Sequence, residues 1–248
     1  MNSTSKKDNR NYRLFINIIV NVLVYFILIP LLIFLSTKTK RYYVISMIIA
    51  CLCCVPHFVK FENSETNATE LVIIATMTAI SIVGRLIFAS FPSFKPVTAI
   101  VIITGIAFGR EAGFISGCMT ALISNIFFGQ GPWTVFQMYT WGIIGYISGI
   151  LYKNLGDKKP NLVILAIIGA ISGVVYSLLM DVFTTISMDK EFTIRRYLYF
   201  VGNSFSVMII YVISNVIFLV VLARPILVKI NRIKKKYGAF NKKRCKNI

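Results

Sequence analysis

The chain has 248 residues, 56% hydrophobic and only 15% charged, with a mean hydropathy of +0.74. A water-soluble domain carries about 25% charged residues, so this composition excludes an ordinary soluble globule and excludes disorder. The net charge of +18 does not point to nucleic acid: ten of the 27 basic side chains lie from Arg224 onward, and Lys6, Lys7, Arg10 and Arg13 precede the first apolar run. Basic ends beside membrane helices mark cytoplasmic termini, held there by the positive-inside effect and by anionic lipid.

Crossing a hydrocarbon core about 30 Å thick takes roughly 20 apolar residues in a helix. Eight runs are predicted, over residues 14–35, 42–58, 70–90, 96–108, 111–128, 134–152, 161–186 and 197–230. They lack the alternation of barrel strands, and open backbone does not survive in lipid. The fold class is therefore an all-α integral membrane protein. The first run is too long for a signal peptide, and no small-residue cleavage site follows it, so it is expected to remain as a helix. The polar stretch 61–69 (FENSETNAT) divides an N-terminal hairpin from a six-helix unit. This gives three parts: residues 1–67 with a basic tail and two hydrophobic helices, 68–231 with the six-helix bundle, and 232–248 as a basic tail.

Eight crossings put both ends on one side, taken as the cytoplasm. The connection 153–160 (KNLGDKKP) and the turn at Gly109 then fall inside, and residues 91–95, 129–133 and 187–196 fall outside. Lys38, Lys40 and Arg41 sit against this assignment, so one helix of the hairpin need not span.

Enzyme signatures are missing. There is no phosphate loop of the G-x-x-x-x-G-K-[ST] type, no H-E-x-x-H and no G-x-S-x-G. The nine acidic residues lie mostly in loops or at helix ends. Cys51, Cys53, Cys54 and Cys118 fall in apolar runs and Cys245 in the basic tail, and His57 is the single histidine; these read as apolar packing rather than a zinc site. That leaves binding or transport, with no resident cofactor and no metal.

Small residues recur four apart: Ala75 and Ala79, Gly105 and Gly109, Gly113 and Gly117, Gly145 and Gly149, Gly169 and Gly173. Such faces let helices approach closely in lipid, and internal packing is the expected use for the glycine pairs. Residues 91–141 carry the chemistry. Pro92 and Pro96 stiffen the connection around Lys95. Gly131 and Pro132 turn the chain between two helices, with Asn125 before them and Gln130, Trp133 and Gln137 around them. This places Gln130, Trp133 and Gln137 at one mouth of the bundle beside Lys95. Aromatic rings with a few convergent amides suit a small-molecule pocket, and for Trp133 and Trp141 an interfacial belt is the other reading. Arg85 is deep enough in its run to be costly against lipid, so it either snorkels or contributes to the pocket. Asp181 is a candidate partner for Arg85 or for a ligand. Tyr176, Asn203 and Asn215 are further polar candidates, with helix–helix hydrogen bonds as their alternative use.

The patterns K-P-V-T-A at Lys95–Ala99, F-G-R-E-A-G-F at Phe108–Phe114 and S-N-I-F-F-G-Q-G-P-W-T at Ser124–Thr134 resemble the membrane-embedded substrate-binding (S) components of energy-coupling factor (ECF) transporters. Among these the segment is most similar to components assigned to cobalamin or corrinoid precursors. The resemblance covers roughly residues 68–230 and leaves out the N-terminal hairpin. It implies a six-helix bundle that binds a vitamin at the extracellular face, with cobalamin as the transported ligand. The partners it implies are a transmembrane coupling protein driven by two cytoplasmic ATPases. Ala75 and Ala79 match the small-x-x-x-small face that meets that coupling protein. Importers of riboflavin, folate, biotin, thiamine and pantothenate share the fold, so the vitamin stays open. A secondary transporter working alone, or an assembly protein without a ligand, are the other readings of the residues themselves.

Overall fold

The computed structural model describes residues 12, 15–28, 31–32, 35, 42–62, 68–155, 161–189 and 192–237. The basic termini before residue 12 and after 237, Lys38, Lys40 and Arg41, and residues 63–67 and 156–160 of the two predicted connections lie outside them. So do residues 14, 29–30 and 33–34 of the first predicted run.

The described part of that first run is helical over residues 15–21 and continues as a π-helix over Val22–Leu28. Among the described residues, 31–32 and 35 are also helical, and seven longer α-helices follow: α1 Tyr42–Glu62, α2 Ala68–Ile87, α3 Val97–Phe108, α4 Arg110–Phe128, α5 Trp133–Leu155, α6 Leu162–Asp189 and α7 Ile194–Tyr237. Four of them, α2, α4, α6 and α7, are long and apolar enough to cross a membrane. The fold is an all-α membrane protein, with a bundle of six helices, α2 to α7, preceded by N-terminal helix. The last helix continues past residue 231 to Tyr237, beyond the predicted end of the bundle.

The short helix α3 is the axis. Its 12 residues rise about 18 Å, too little to span hydrocarbon. It is apolar on every side, which is the pattern of a helix buried all round. Val97, Ala99, Ile100, Val101, Ile102 and Ile103 are at most 2% exposed, and α3 packs against each of α2, α4, α5, α6 and α7. A single residue, Gly109, joins α3 to α4 at φ +96°, a backbone conformation that disfavours any side chain. Its N–H still donates to the Gly105 carbonyl at 2.9 Å, and its own carbonyl accepts from Gly113 at 3.1 Å.

The other predicted glycine spacings are packing seams. A Cβ on Gly105 would overlap the Gly145 carbonyl, and one on Gly149 would come within 2.5 Å of the Arg110 nitrogen. Gly113 meets the Gly145 carbonyl in the same way, at 2.5 Å. Helices α3, α4 and α5 therefore touch backbone to backbone near Gly109. Gly169 and Gly173 do the same service between α6 and α7, with Leu219 and Val212 as their neighbours at 2.8 and 2.7 Å.

Helix α1 lies on α4 and α5. His57 stacks on Phe114 with ring centroids 4.0 Å apart, Cys54 joins Phe114, Ile115 and Cys118 in an apolar cluster, and Lys60 Nζ reaches Glu111 Oε1 at 2.8 Å. The packing elements of α2 are α3 and α4, so Ala75 and Ala79 are exposed. Val72, Ile80, Val83 and Ile87 extend that apolar face, at 64, 44, 51 and 69% exposure.

Candidate functional site

A cavity of about 170 Å³ opens at the end of the bundle away from Gly109. It is walled by Arg85, Ser93, Lys95, Val97, Thr98, Gln137, Trp141, Tyr176 and Tyr211. Each wall has a local cause. On α4, Ser116, Thr120 and Ser124 repeat every fourth residue and turn a polar stripe toward α2. Thr78 Oγ1 donates to Ser116 Oγ at 3.1 Å. The stripe ends where Arg85 Nη1 donates to Ser124 Oγ and, at 2.8 Å, to Asn125 Oδ1. Arg85 is thus drawn inward and is 7% exposed, rather than snorkelling to the surface.

Asn125 relays the arrangement to α5. Its Nδ2 donates to Thr134 Oγ1 at 2.9 Å and to Gln137 Oε1 at 2.8 Å, and Gln137 Nε2 donates onward to the Tyr176 hydroxyl at 3.4 Å. Tyr176 stacks against Trp141 at 5.4 Å with 19° between planes, and meets Tyr211 edge-on at 4.8 Å. The result is a chain of oriented amides backed by three rings.

The segment between α2 and α3 closes the remaining side. Ser93 adopts φ +61°. Ser214 Oγ on α7 accepts the Lys95 N–H at 3.0 Å and donates to the Lys95 carbonyl at 3.1 Å, a two-point lock on the loop. Phe88, Phe94 and Phe218 pack beneath it, with centroids 5.0 to 6.1 Å apart. Lys95 Nζ and the Arg85 guanidinium both lie over the Phe128 ring, at 4.8 and 4.6 Å, and Arg85 also covers Trp141 at 5.0 Å. Burial, and after it the neighbouring Arg85, holds the Lys95 ammonium below its ordinary pKa.

Of the residues expected at the site, Arg85, Lys95 and Gln137 line the cavity, and Asn125 stands directly behind them. Gln130 and Trp133 stand elsewhere. Gln130 braces the turn, donating to the Leu122 carbonyl at 2.8 Å and accepting from Thr134 Oγ1 at 3.1 Å. Trp133 folds over Gly131 and is 38% exposed. Asp181 is turned to α7, where it accepts from Ser204 Oγ at 2.6 Å, and is not on the wall. Asn203 is exposed and Asn215 is buried. Trp141 lines the cavity and is 5% exposed. Its position four residues after Gln137 puts it on the same helix face. Tyr211, Ser93 and Thr98 also line the cavity, and no local pattern in the sequence distinguishes them from ordinary residues of their kind.

The family model for the ECF-type riboflavin transporter S component matches residues 65–232. No curated protein and no solved structure gives a significant match. The matched region takes in all of α2 to α6 and the larger part of α7, and so holds both the cavity and the exposed alanine face, while α1 lies ahead of it. The chain therefore belongs to the ECF-type riboflavin transporter S component family and is a multi-pass component of a membrane transport system.

Proposed function

We propose that this chain is the substrate-capturing subunit of an ATP-driven importer: it takes a vitamin into the cavity and delivers it by docking on a transmembrane coupling protein driven by two cytoplasmic ATPases. The observation that carries this reading is the cavity itself, an aromatic-walled site with two cations and oriented amides inside the family-matched region. Its mouth faces the extracellular side when the basic termini are cytoplasmic. Ala75 and Ala79 form the docking face, because small side chains let a partner helix approach closely and leave again.

The family and the cavity together favour a flavin as the cargo. Flat stacked rings at Trp141 and Tyr176 suit a planar ring system. The volume of about 170 Å³ is below the about 300–1,000 Å³ of pockets that enclose drug-sized ligands. A corrinoid is the second reading, favoured by the patterns at Lys95–Ala99 and Ser124–Thr134. Either cargo requires the loop carrying Ser93 and Lys95 to withdraw and widen the cavity, the corrinoid by more.

The absorption spectrum of the gently purified protein decides between these cargoes, since a flavin and a corrinoid absorb differently. Ala79→Trp is expected to abolish uptake in cells that supply the coupling module while leaving binding in detergent intact. Wild-type protein reconstituted without that module should import nothing against a gradient. Concentrative uptake by the chain alone, driven by an ion gradient, would replace this reading with a secondary transporter.

A further inference from the structure

Two cations face one small cavity with no carboxylate on its wall. The residues lining it are Arg85, Ser93, Lys95, Val97, Thr98, Gln137, Trp141, Tyr176 and Tyr211. Among the described residues neither Arg85 nor Lys95 forms an ion pair; the four ion pairs engage His57, Lys60, Arg110 and Arg196. Asp181, a candidate partner for Arg85 or for a ligand, accepts from Ser204.

Arg85 is 7% exposed. Its Nη1 is used by Ser124 and Asn125, but its Nε has no acceptor, and neither does Trp141 Nε1. Both of these buried donors belong to side chains on the cavity wall. Ring faces at Phe128 and Trp141 offset part of the cationic charge. Both cations share the Phe128 ring. A buried guanidinium without a counter-charge is costly unless something else supplies the charge. Arg85, Trp141 and Lys95 reach the wall from α2, α5 and the loop before α3, where Ser214 holds both backbone groups of Lys95.

We infer that the cargo carries an anionic oxygen group, a phosphate or a carboxylate, for which the Arg85 guanidinium and the Lys95 ammonium together supply the counter-charge. This rests on the reading of the cavity as the cargo site, and it is independent of which vitamin ring fills the remainder. It also sets a selectivity. A cationic cargo is repelled, and of two molecules with the same ring the phosphorylated one binds better.

The test uses full-length protein in detergent and two matched probe pairs: riboflavin against flavin mononucleotide, and cobinamide against cobinamide phosphate. For the pair whose ring is accepted, the phosphorylated member is expected to bind at least about tenfold more tightly, the scale of a charge-assisted hydrogen bond. Lys95→Gln should shrink that ratio to near one. Lys95 is only half-buried, so this variant is the one to rely on if Arg85→Gln fails to fold. Equal affinities within the pair, a preference for the neutral member, or a preference that survives Lys95→Gln would overturn the inference. Failure of all four probes to bind ends the flavin and corrinoid readings of the cargo. The anion site is then decided with inorganic phosphate alone. At matched ionic strength, stabilisation against heat in the wild type but not in Lys95→Gln upholds the site, and no stabilisation of the wild type removes it.

Discussion

The helices α3, α4 and α5 meet very differently at their two ends. Near Gly109 they are in backbone contact, through Gly105, Gly113, Gly145 and Gly149. At the other end Arg85, Gln137, Trp141 and Tyr176 stand around a void. The change occurs within about two turns of α4 and α5. A Cβ on Gly117 would come within 2.5 Å of the Trp141 backbone, so the last close approach is made beside the first bulky wall residue. Small residues draw helices together in lipid, and large ones hold them apart. The seam and the cavity thus lie at opposite ends of α3 and α5: small residues close one end, and bulky and polar side chains line the void at the other.

The strongest way to break that comparison is to fill the seam. Gly145→Leu should prevent folding, because the first side-chain carbon already overlaps the Gly113 carbonyl and backbone cannot yield as a flexible side chain can. The check is loss of the monodisperse peak in detergent size exclusion. Gly145→Ala is the milder form, expected to cost about 1–3 kcal/mol as overpacking does, read as a lower melting temperature. Gly202→Ala meets open space and should fall within about 0.5 kcal/mol of wild type.

At the open end, Arg85→Met should separate function from stability. Losing a buried, hydrogen-bonded charge contact costs about 2–5 kcal/mol of binding, so cargo affinity should fall by about thirtyfold or more in calorimetry. Folding should not suffer to match. Ser124 keeps its bond to the Thr120 carbonyl at 2.5 Å, and Asn125 keeps Thr134 and Gln137. Replacing an uncompensated buried charge by an apolar side chain of similar length is often neutral or stabilising. A variant that both binds weakly and melts early would mean that Arg85 is a structural brace. Gln137→Leu is the smaller step on the same wall. It removes one acceptor from Asn125 and one donor from Tyr176, and about 1 kcal/mol, or roughly fivefold in affinity, is expected.

How far the residues themselves announced these two ends follows from the kind of signal each carries. The helices stand out because apolar runs of about 20 residues in a chain with few charges have no other use in a membrane protein. All six helices of the bundle were predicted to within a few residues, except the C-terminal extension of α7. The seam was readable too, as glycines four apart, although Gly109 turned out to serve the backbone turn and not the packing. Of the six residues expected to bind substrate, three line the candidate cavity. Arg85, Lys95 and Gln137 reach the wall because a charge or amide inside an apolar run needs a partner. Trp133 and Gln130 sit beside conspicuous turn residues and support the turn instead. Ser93 comes from the loop that follows Arg85's own helix, whereas Tyr211 comes from α7, and only the packing of α7 against α3 brings it to Arg85. No periodicity along one segment encodes a meeting between segments more than a hundred residues apart.

The smallest expected effect tests whether the seam end needs charge at all. Glu111, 18% exposed on its side chain, collects Lys60 Nζ at 2.8 Å, Arg110 Nε at 3.1 Å and His57 Nδ1 at 3.8 Å. It is the polar part of the contact between α1 and the bundle. The apolar part is the His57–Phe114 stack, the Phe58–Phe114 edge contact at 6.4 Å and the Cys54 cluster. Ion pairs this accessible contribute about 0–1 kcal/mol and fade with salt, whereas buried ring area does not. Glu111→Gln should therefore lower the melting temperature slightly at low ionic strength, converge with wild type in high salt, and leave cargo affinity unchanged. Phe114→Ala, by contrast, should release α1 to proteolysis at any salt concentration. If instead Glu111→Gln alone exposes α1 to cleavage, charge and not ring packing attaches the N-terminal helix. The two ends of the bundle would then both depend on buried polar groups, and the contrast between a backbone seam and a side-chain cavity would fail.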